Sequence, residues 1–313
     1  APFTTLRFLL TAKPDIVIVN SPDLWIVTIV GRILFGYVLL ADVRENYKLN
    51  VLKTEVWPKM LRLPLALYIR ATEKLCYFFC SGFILAEKVY TQQLPFVTNS
   101  GKPVVIAENK VPKGIISDFK ARKTPVLPPS GVIRLLYTGT IALHYGIFEA
   151  IDLACALHAI NPEISLTIAG YCADKQLFEQ LKARLLPCPF ITLIGGEKPV
   201  SHQILLKLMT EAHFGLLPYR SSPATAGKIP TKLYEYQAFT LPMIIQRNKD
   251  WESISNAAEA GIMIDYTNFD AQDILDVLTT RLFYTKGVPN EIWWEEEIPA
   301  LVSMLAGFYK NKN

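Results

Sequence analysis

Residues 227–245 read GKIPTKLYEYQAFTLPMII, a segment that predicts a helix followed at once by a buried strand. Pro230 suits the first turn of a helix, because the N–H that proline lacks would find no partner there. The helical pattern runs to Thr240, and Leu241-Pro242 ends it before the strand. The start of this helix therefore directs free N–H groups and a partial positive charge at whatever lies in front of it.

Cationic and acidic side chains surround that helix start. Lys228, Thr231 and Lys232 lie at its positive end, and Glu235 follows one turn later. Lysines at a helix N-terminus suit a diphosphate, and a carboxylate can accept hydrogen bonds from paired sugar hydroxyls. The segment therefore indicates a pocket for a nucleotide-linked sugar. The simpler interpretations stay open: solvated lysines, a solvated glutamate, and a threonine that only caps the helix.

In these residues the chain resembles glycosyltransferases of the GT-B fold, in particular the large retaining family 4. Members of that family carry the segment P-T-K-L-x-E-Y-x-A-x-G-x-P-V-I in the donor-binding domain. Residues 230–244 follow it closely, with Thr240 where glycine is usual. Further segments match in the family's order, and they lie at 13–20, 40–47, 136–151, 166–170 and 214–219.

The resemblance implies an α/β protein with two Rossmann-like, doubly wound parallel-sheet domains that face a cleft. An acceptor-side domain would occupy residues 1–112, a linker rich in proline and lysine 113–130, and the donor-binding domain 131–290. Residues 291–313 would form a helix that crosses back to the first domain. We expect the first domain to be truncated at its N-terminus, because family members place a strand and a glycine-rich loop well before the strand that begins here at residue 15.

Apolar runs rich in branched residues alternate with helical patterns, which is typical of parallel sheets with helices on both faces. The pattern predicts strands at 15–20, 37–42, 83–86, 103–107, 132–138, 164–169, 190–194, 213–217, 242–246 and 262–264. It predicts helices at 4–12, 22–34, 57–79, 87–93, 145–160, 174–186, 201–211, 230–239, 250–259, 270–284 and 291–309.

The resemblance also implies which residues bind the donor. Gly139 and Thr140 follow a strand, where backbone N–H groups can approach a diphosphate. The full donor-binding set is Gly139, Thr140, Gly170, Tyr219, Arg220, Lys228, Thr231, Lys232 and Glu235.

Two departures from the family pattern change how the phosphate charge would be met. Many members carry cations at the positions that Thr140 and Tyr145 hold here. The negative charge of the diphosphate would therefore be stabilised by the remaining cations and by the helix dipole. Those cations are Lys228, Lys232 and Arg220.

Three residues are candidates for catalysis. Arg44 and Glu45 follow Asp42-Val43, in a segment where family members place a histidine that faces the reacting sugar. Arg44 stays protonated and cannot act as a base, but it can hold a phosphate or an acceptor anion. The alternative is a purely local pair between Arg44 and Glu45. His144 lies near the expected donor sugar, and its alternative is an ordinary surface histidine.

The composition fits two globular domains. The chain has 313 residues, of which 51% are hydrophobic and 19% charged, and its net charge is +4. That mild excess is too small to indicate nucleic acid, but it suits an anionic donor or an anionic membrane surface. The chain carries no D-x-D, H-E-x-x-H or G-x-S-x-G motif, which argues against metal-dependent transferases and zinc or serine hydrolases. The resemblance implies a metal-independent reaction with no cofactor beside the UDP- or GDP-linked sugar.

No segment is predicted to cross a membrane. Residues 24–41 are apolar, but Arg32 and two glycines divide them into a helix and a strand. Residues 57–79 form an apolar helix that charged side chains interrupt. Two interpretations of that helix stay open, an ordinary amphipathic domain helix and a peripheral contact with the inner membrane surface. Five cysteines without a C-x-x-C pair indicate buried thiols in a reducing cytoplasm.

Together these observations predict a glycosyltransferase that moves a sugar from a nucleotide-sugar donor to a glycan or lipid-linked acceptor with retention. The resemblance is to bacterial enzymes that assemble cell-surface polysaccharides. Two alternatives stay open. Arg44, Thr140 and Tyr145 would also fit a catalytically impaired relative, either a nucleotide-sugar-binding protein or a scaffold. A sugar-nucleotide epimerase shares the two-domain fold.

Overall fold

A computed structural model describes residues 2–53, 57–119, 124, 126, 131–220 and 227–310. Their contacts divide them into two units. The first unit takes 2–109, 227–228 and 294–310, and the second takes the described residues of 110–220 and 229–293. The predicted linker, 113–130, lies partly outside the described residues, and the predicted domain boundaries stay a prediction.

A four-stranded parallel sheet forms the centre of the first unit, in the order β1-β2-β3-β4. Its strands are β1 (Ile16–Val19), β2 (Val38–Val43), β3 (Gly82–Leu85) and β4 (Val104–Ile106). Side chains on the two inner strands are buried on both faces of the sheet, including Leu39, Leu40 and Phe83. Burial on both faces explains why these strands read as continuous apolar runs.

Helices cover this sheet and its edges. They are α1 (Pro2–Ala12), α2 (Trp25–Phe35), α3 (Tyr47–Lys53), α4 (Lys59–Phe79), α5 (Tyr90–Gln93) and α6 (Pro95–Thr98). The predicted helix 22–34 begins as a single 3-10 turn, Pro22–Leu24, before α2 starts. Gly36 then ends α2 with a φ of +70°, a left-handed conformation that favours glycine. The sequence pattern missed α3 and α6, which are too short to show a helical period.

A buried acid lies on the inner face of α4. The side chain of Glu73 is fully buried, and its Oε2 accepts from Arg70 Nη1 at 2.6 Å. Arg70 Nη2 also donates to Asn46 Oδ1 at 2.7 Å, in the loop between β2 and α3. Burial raises the pKa of Glu73 to about 7, against the opposing effect of the Arg70 charge. These bonds tie α4 to the loop that carries Arg44 and Glu45.

Replacing Glu73 with glutamine should flatten the pH dependence of stability between pH 4.5 and 7. The folded protein holds a proton on Glu73 at a higher pH than the unfolded chain does. The stability that this group contributes is therefore present below pH 4.5 and lost as the pH rises through 7. Glutamine keeps an acceptor for Arg70 and does not titrate. The variant should therefore not show the decrease in the free energy of unfolding, on the order of 1–3 kcal/mol, that the wild type shows as the pH rises.

Urea unfolding of both proteins at about pH 5 and about pH 8 measures this difference. Glu163→Gln is the matched control, because Glu163 is exposed on the second unit. A wild-type protein and a Glu73→Gln variant with the same change in free energy of unfolding between the two pH values would contradict the assignment.

A six-stranded parallel sheet forms the centre of the second unit, in the order β10-β9-β8-β5-β6-β7. Its strands are β5 (Ile133–Thr140), β6 (Ile164–Tyr171), β7 (Ile191–Gly196), β8 (Phe214–Leu217), β9 (Met243–Gln246) and β10 (Gly261–Ile264). The chain proceeds outward from β5 in one direction and then returns to continue from β8 in the other. The prediction of two parallel-sheet α/β domains is confirmed.

The helices of this unit begin in two different ways. They are α7 (Ile147–Ile160), α8 (Lys175–Leu185), α9 (His202–Glu211), α10 (Thr231–Ala238), α11 (Lys249–Ala257) and α12 (Ala271–Thr280). Four of them start at a side chain that accepts hydrogen bonds from the first turn: Asp174 for α8, Ser201 for α9, Asn248 for α11 and Asp270 for α12. Neither α7 nor α10 has such a side-chain cap. Among the described residues, no N-cap side chain therefore accepts from their first N–H groups.

The end of the described chain differs from the predicted single helix 291–309. Two 3-10 turns, Asn290–Ile292 and Trp294–Glu296, come first, and α13 (Ile298–Lys310) follows. Pro299 explains the late start, because proline is tolerated in a first helical turn but not in a helix interior. The predicted helix 270–284 is also shorter, since Phe283 leaves it to pair with Val126. Among the helices of the described residues, none has the length and apolarity needed to cross a bilayer.

Candidate functional site

The loops that follow β5 and β8 meet at the carboxyl edge of the second sheet. These two strands are neighbours, and the chain order reverses between them. A Cβ added at Gly146, whose φ is +72°, would lie 1.9 Å from the carbonyl oxygen of Pro218. The Arg220 N–H donates to the His144 carbonyl at 3.1 Å. In open α/β sheets, the carboxyl ends of strands at such a reversal are where ligands bind.

Three glycines form a row across the same edge. Gly139 of β5 is in register with Gly170 of β6, and Gly170 is in register with Gly195 of β7. A Cβ at Gly170 would lie 1.8 Å from the Gly139 carbonyl oxygen, and a Cβ at Gly195 would lie 2.4 Å from that of Gly170. Side chains are therefore excluded along this row, which we call the glycine row. Glycine is therefore required at Gly170 and Gly195 for the close packing of this edge, while at Gly139 the nearest group to an added Cβ is the Lys232 side chain, at 3.4 Å.

The start of α10 lies over this row. α10 begins at Thr231, one residue later than predicted, and Pro230 is its N-cap. A Cβ built on Gly139 would lie 3.4 Å from Lys232 Cε, which places the lysine stem above the end of β5. The Tyr236 hydroxyl lies 2.9 Å from Thr138 Oγ1, so the helix is also hydrogen-bonded to β5.

Glu235 is not a solvated glutamate. Its side chain is 11% exposed, and its Oε2 accepts a hydrogen bond from Lys232 Nζ. Lys232 itself is only 14% exposed. The pair places one fixed carboxylate and one ammonium group at the first two turns of α10. Such a pair can offer both an acceptor for hydroxyls and a cation for phosphate.

Arg220 is held by a carboxylate that the sequence analysis did not single out. Its Nε bonds to Oε1 of Glu149, in the first turn of α7. The Glu149 side chain is 12% exposed, and its Oε2 is buried without a hydrogen-bond partner among the described residues. A local signal existed, because Glu149 lies three residues after Gly146, where the loop from β5 enters α7.

Aromatic rings line the loops beside this pair. The ring centroids of Tyr145 and Tyr219 are 4.9 Å apart, and Tyr145 also packs on His144 at 4.1 Å. Burial raises the pKa of Tyr219 well above its usual value, so its hydroxyl keeps its proton. Partial desolvation lowers the pKa of His144, which favours the neutral imidazole at pH 7. His144 can therefore donate or accept one hydrogen bond there without carrying charge.

Three predicted site residues belong to the first unit. Arg44 is 60% exposed and pairs through Nε with Asp42 Oδ2 at 2.7 Å, not with Glu45 as the local alternative supposed. Glu45 Oε2 instead accepts from Lys228 Nζ at 2.8 Å and from Asn50 Nδ2 at 3.0 Å. Lys228 belongs by its contacts to this unit, although α10 begins three residues later.

The second unit brings together the other predicted residues at the glycine row and the two loops. They are Gly139, Thr140, His144, Gly170, Tyr219, Arg220, Thr231, Lys232 and Glu235. Over the described part of the chain, no cluster of histidine, cysteine and acidic side chains could hold a metal ion. The roles of these residues stay predictions.

No protein-family model matches the chain, and no curated protein matches it in sequence. Solved structures do match. HepE from Anabaena, in complex with UDP, gives a TM-score of 0.57 at 11% identity, over 88% of this chain and 71% of its own. AviGT4, a glycosyltransferase involved in avilamycin A biosynthesis, gives 0.58 at 16% identity, over 98% and 78%. A protein from Listeria monocytogenes, described as a UDP-N-acetylglucosamine 2-epimerase, gives 0.59 at 12% identity, over 100% and 79%.

At these identities the likeness shows the fold. The chain shares the architecture of GT-B proteins, in which two parallel-sheet α/β domains follow each other. Both a glycosyltransferase and an epimerase by description have this architecture, so the fold alone does not separate the two activities.

Substituting alanine for Gly170 should destabilise the second unit by about 2–4 kcal/mol, because the new Cβ would overlap a backbone oxygen that cannot move aside. Gly114→Ala is the matched control, since a Cβ there meets nothing within 4 Å. Thermal unfolding followed by circular dichroism measures both variants. Equal midpoints for the two would show that the glycine row is not closely packed.

Proposed function

We propose that the protein is a glycosyltransferase that takes a sugar from a nucleotide diphosphate donor, which binds at the glycine row of the second unit. The observation that carries the proposal is the meeting of the start of α10, which has no side-chain N-cap, with Lys232 and the glycine end of β5 at one point. Each of these features favours an anion, and a diphosphate is large enough to contact all three.

The diphosphate would bind through backbone and lysine donors. The N–H groups of the first turns of α7 and α10 lack side-chain caps and can donate to phosphate oxygens. Lys232 adds a full positive charge. Arg220 is half exposed, and its bond to Glu149 leaves other guanidinium donors that can reach a phosphate. In this proposal the hydroxyl of Thr231, the first residue of α10, is a further donor to phosphate.

Glu235 would orient the sugar part of the donor. A carboxylate can accept hydrogen bonds from two neighbouring hydroxyls, either on ribose or on the transferred sugar. Lys232 already fixes one of its oxygens, so little ordering remains to be done when the ligand arrives. Tyr145 and Tyr219 are placed to pack against a flat or apolar part of the ligand.

The comparisons support the class of donor. HepE was solved with UDP and with UDP-glucose, and AviGT4 is described as a glycosyltransferase. By this likeness in fold we propose a UDP- or GDP-linked sugar as donor. We further propose transfer with retention, without a metal or other cofactor, to a glycan or lipid-linked acceptor of the cell-surface polysaccharide type. The place of action would be the cytoplasmic face of the membrane.

The chemistry would rest on electrostatic stabilisation of the leaving group. Charge develops on the diphosphate as the bond to the sugar breaks, and the start of α10 with Lys232 would stabilise it. The neutral imidazole of His144 can hydrogen-bond near the sugar. Arg44, 60% exposed on the first unit, would hold an acceptor anion, and Glu45 would accept hydrogen bonds from acceptor hydroxyls.

Replacing Lys232 with glutamine should weaken the binding of UDP about ten- to hundredfold, because one charge-assisted bond to phosphate is lost. Lys182→Gln is a matched control, since Lys182 also pairs with a glutamate three residues away, but on the exposed face of α8. Isothermal titration calorimetry measures both affinities. An unchanged affinity in Lys232→Gln would place the diphosphate elsewhere, and no binding of UDP or GDP by the wild type would refute the proposal.

An epimerase is the second candidate, because the Listeria protein matches the whole length of this chain in fold. Incubation with UDP-N-acetylglucosamine and no acceptor separates the two activities. We expect proton NMR to show an unchanged sugar apart from slow hydrolysis, with heat-denatured protein as the control. Accumulation of the 2-epimer would identify an epimerase instead. A protein that binds UDP, but forms no UDP from a UDP-sugar in the presence of a panel of acceptors, would be the catalytically impaired relative.

A further inference from the structure

Large apolar side chains are exposed along the outward face of α4. Met60, Leu67, Leu75 and Phe78 are exposed by 90%, 52%, 53% and 76%. Their spacings of seven, eight and three residues keep them on one side of a helix, opposite the buried Ala66 and Glu73. At 21 residues, α4 carries this stripe for about 30 Å. The outward side of α4 is therefore apolar in addition to its inner side, where Ala66, Cys76 and Tyr77 are buried.

Two neighbouring helices extend the stripe. α2 contacts both α1 and α4 within the first unit. On α2, Ile26 and Ile33 are 59% and 65% exposed, and on α1, Phe3 and Phe8 are 90% and 62% exposed. We call these exposed apolar side chains of α1, α2 and α4 the apolar helix face. Single exposed apolar residues are ordinary, but many of them on three neighbouring helices mark an interaction surface.

The charged residues of these three helices are nearly all basic. The three helices contain six basic residues and a single acid. The acid is Glu73, which is fully buried and paired with Arg70, so it contributes nothing at the surface. Lys59 and Lys74, on α4 itself, are exposed. An apolar surface that basic side chains accompany matches a bilayer with anionic headgroups, which offers acyl chains and negative charge together.

The inner side of α4 determines how such a surface could be used. Arg70 and Glu73 anchor the helix to Asn46, so α4 is held flat against its own unit. None of the described helices can span a membrane. A helix that is fixed to its own unit on its inner side and carries apolar side chains on its outer side suits insertion into the interface plane, not across the bilayer.

We propose that the apolar helix face docks the first unit on an anionic lipid bilayer. Docking would serve the glycosyl transfer proposed above, on which this purpose rests, by bringing the chain to a lipid-linked acceptor. The Arg70–Asn46 bond links α4 to the loop of Arg44 and Glu45. The same unit therefore carries both the lipid contact and the candidate acceptor residues.

Vesicle flotation of the full chain tests the docking. We expect binding to vesicles with about one third phosphatidylglycerol, binding about tenfold weaker to pure phosphatidylcholine, and a decrease with salt. The double variant Leu67→Glu/Phe78→Glu should lose about tenfold in partitioning or more. Leu186→Glu/Ile204→Glu is the matched control, since these leucine and isoleucine side chains are 85% and 46% exposed on the second unit. Circular dichroism checks that each variant is folded.

A second variant keeps the test independent of the apolar substitutions. Lys59→Glu/Lys74→Glu should weaken binding to the anionic vesicles and leave the weak binding to phosphatidylcholine unchanged. No binding of the wild type to either vesicle overturns the docking, as does equal binding of the control and the Leu67→Glu/Phe78→Glu variant. A dimer by light scattering that this variant converts to a monomer, without vesicle binding, would assign the face to a second copy and overturn the lipid proposal.

Calorimetry with UDP separates this inference from the proposed function. The apolar variants should bind UDP as the wild type does, because the substitutions lie in the first unit and the glycine row lies in the second. A chain that binds anionic vesicles but no nucleotide would keep the docking and refute the transferase. A chain that binds UDP but neither kind of vesicle would refute the docking and leave the proposed transferase standing.

Discussion

Close contact between backbones is the constraint on which the second unit depends. Gly170 touches the carbonyl of Gly139, and Gly146 touches that of Pro218. These contacts bring the ends of β5, β6 and β8 together with the loops that follow them, and no side chain could be inserted without moving the main chain. The position of α10 is a consequence, since its Tyr236 hydroxyl lies within hydrogen-bonding distance of Thr138 on β5. Geometry at this edge is therefore set by the sheet.

The candidate cations share a second property, which is that each already has a carboxylate partner. Lys232 bonds to Glu235 and Arg220 to Glu149 in the second unit, while Lys228 bonds to Glu45 in the first. Each pairing neutralises its cation locally and orders its side chain. A phosphate bound at the second unit would add to the Lys232 and Arg220 pairs as a third member, and their carboxylates would remain available to hydroxyl groups.

The sequence was informative where a pattern is local. Strand ends that finish in glycine placed Gly139 and Gly170 correctly at the carboxyl edge, and the 230–244 segment placed the start of α10 within one residue. Gly195 was missed, because its place in the row exists only through the register of three strands. The ion pairs Arg220–Glu149 and Lys228–Glu45 were also beyond reach, since they join residues 71 and 183 positions apart. The outward side of α4 needed the structure too, because helical periodicity does not say which face packs inward.

The contact between Gly215 of β8 and Tyr236 of α10 restricts which substitutions the protein can accept at these two positions. A Cβ on Gly215 would lie 2.5 Å from the Tyr236 ring, so β8 and α10 fit only when the strand position is empty of a side chain. A larger residue at position 215 can therefore be accommodated only together with a smaller residue at position 236. Any sequence that enlarges residue 215 must shrink residue 236, and in doing so gives up the hydroxyl that reaches Thr138. Substitutions at residues 215 and 236 are therefore coupled, and they also affect the orientation of α10.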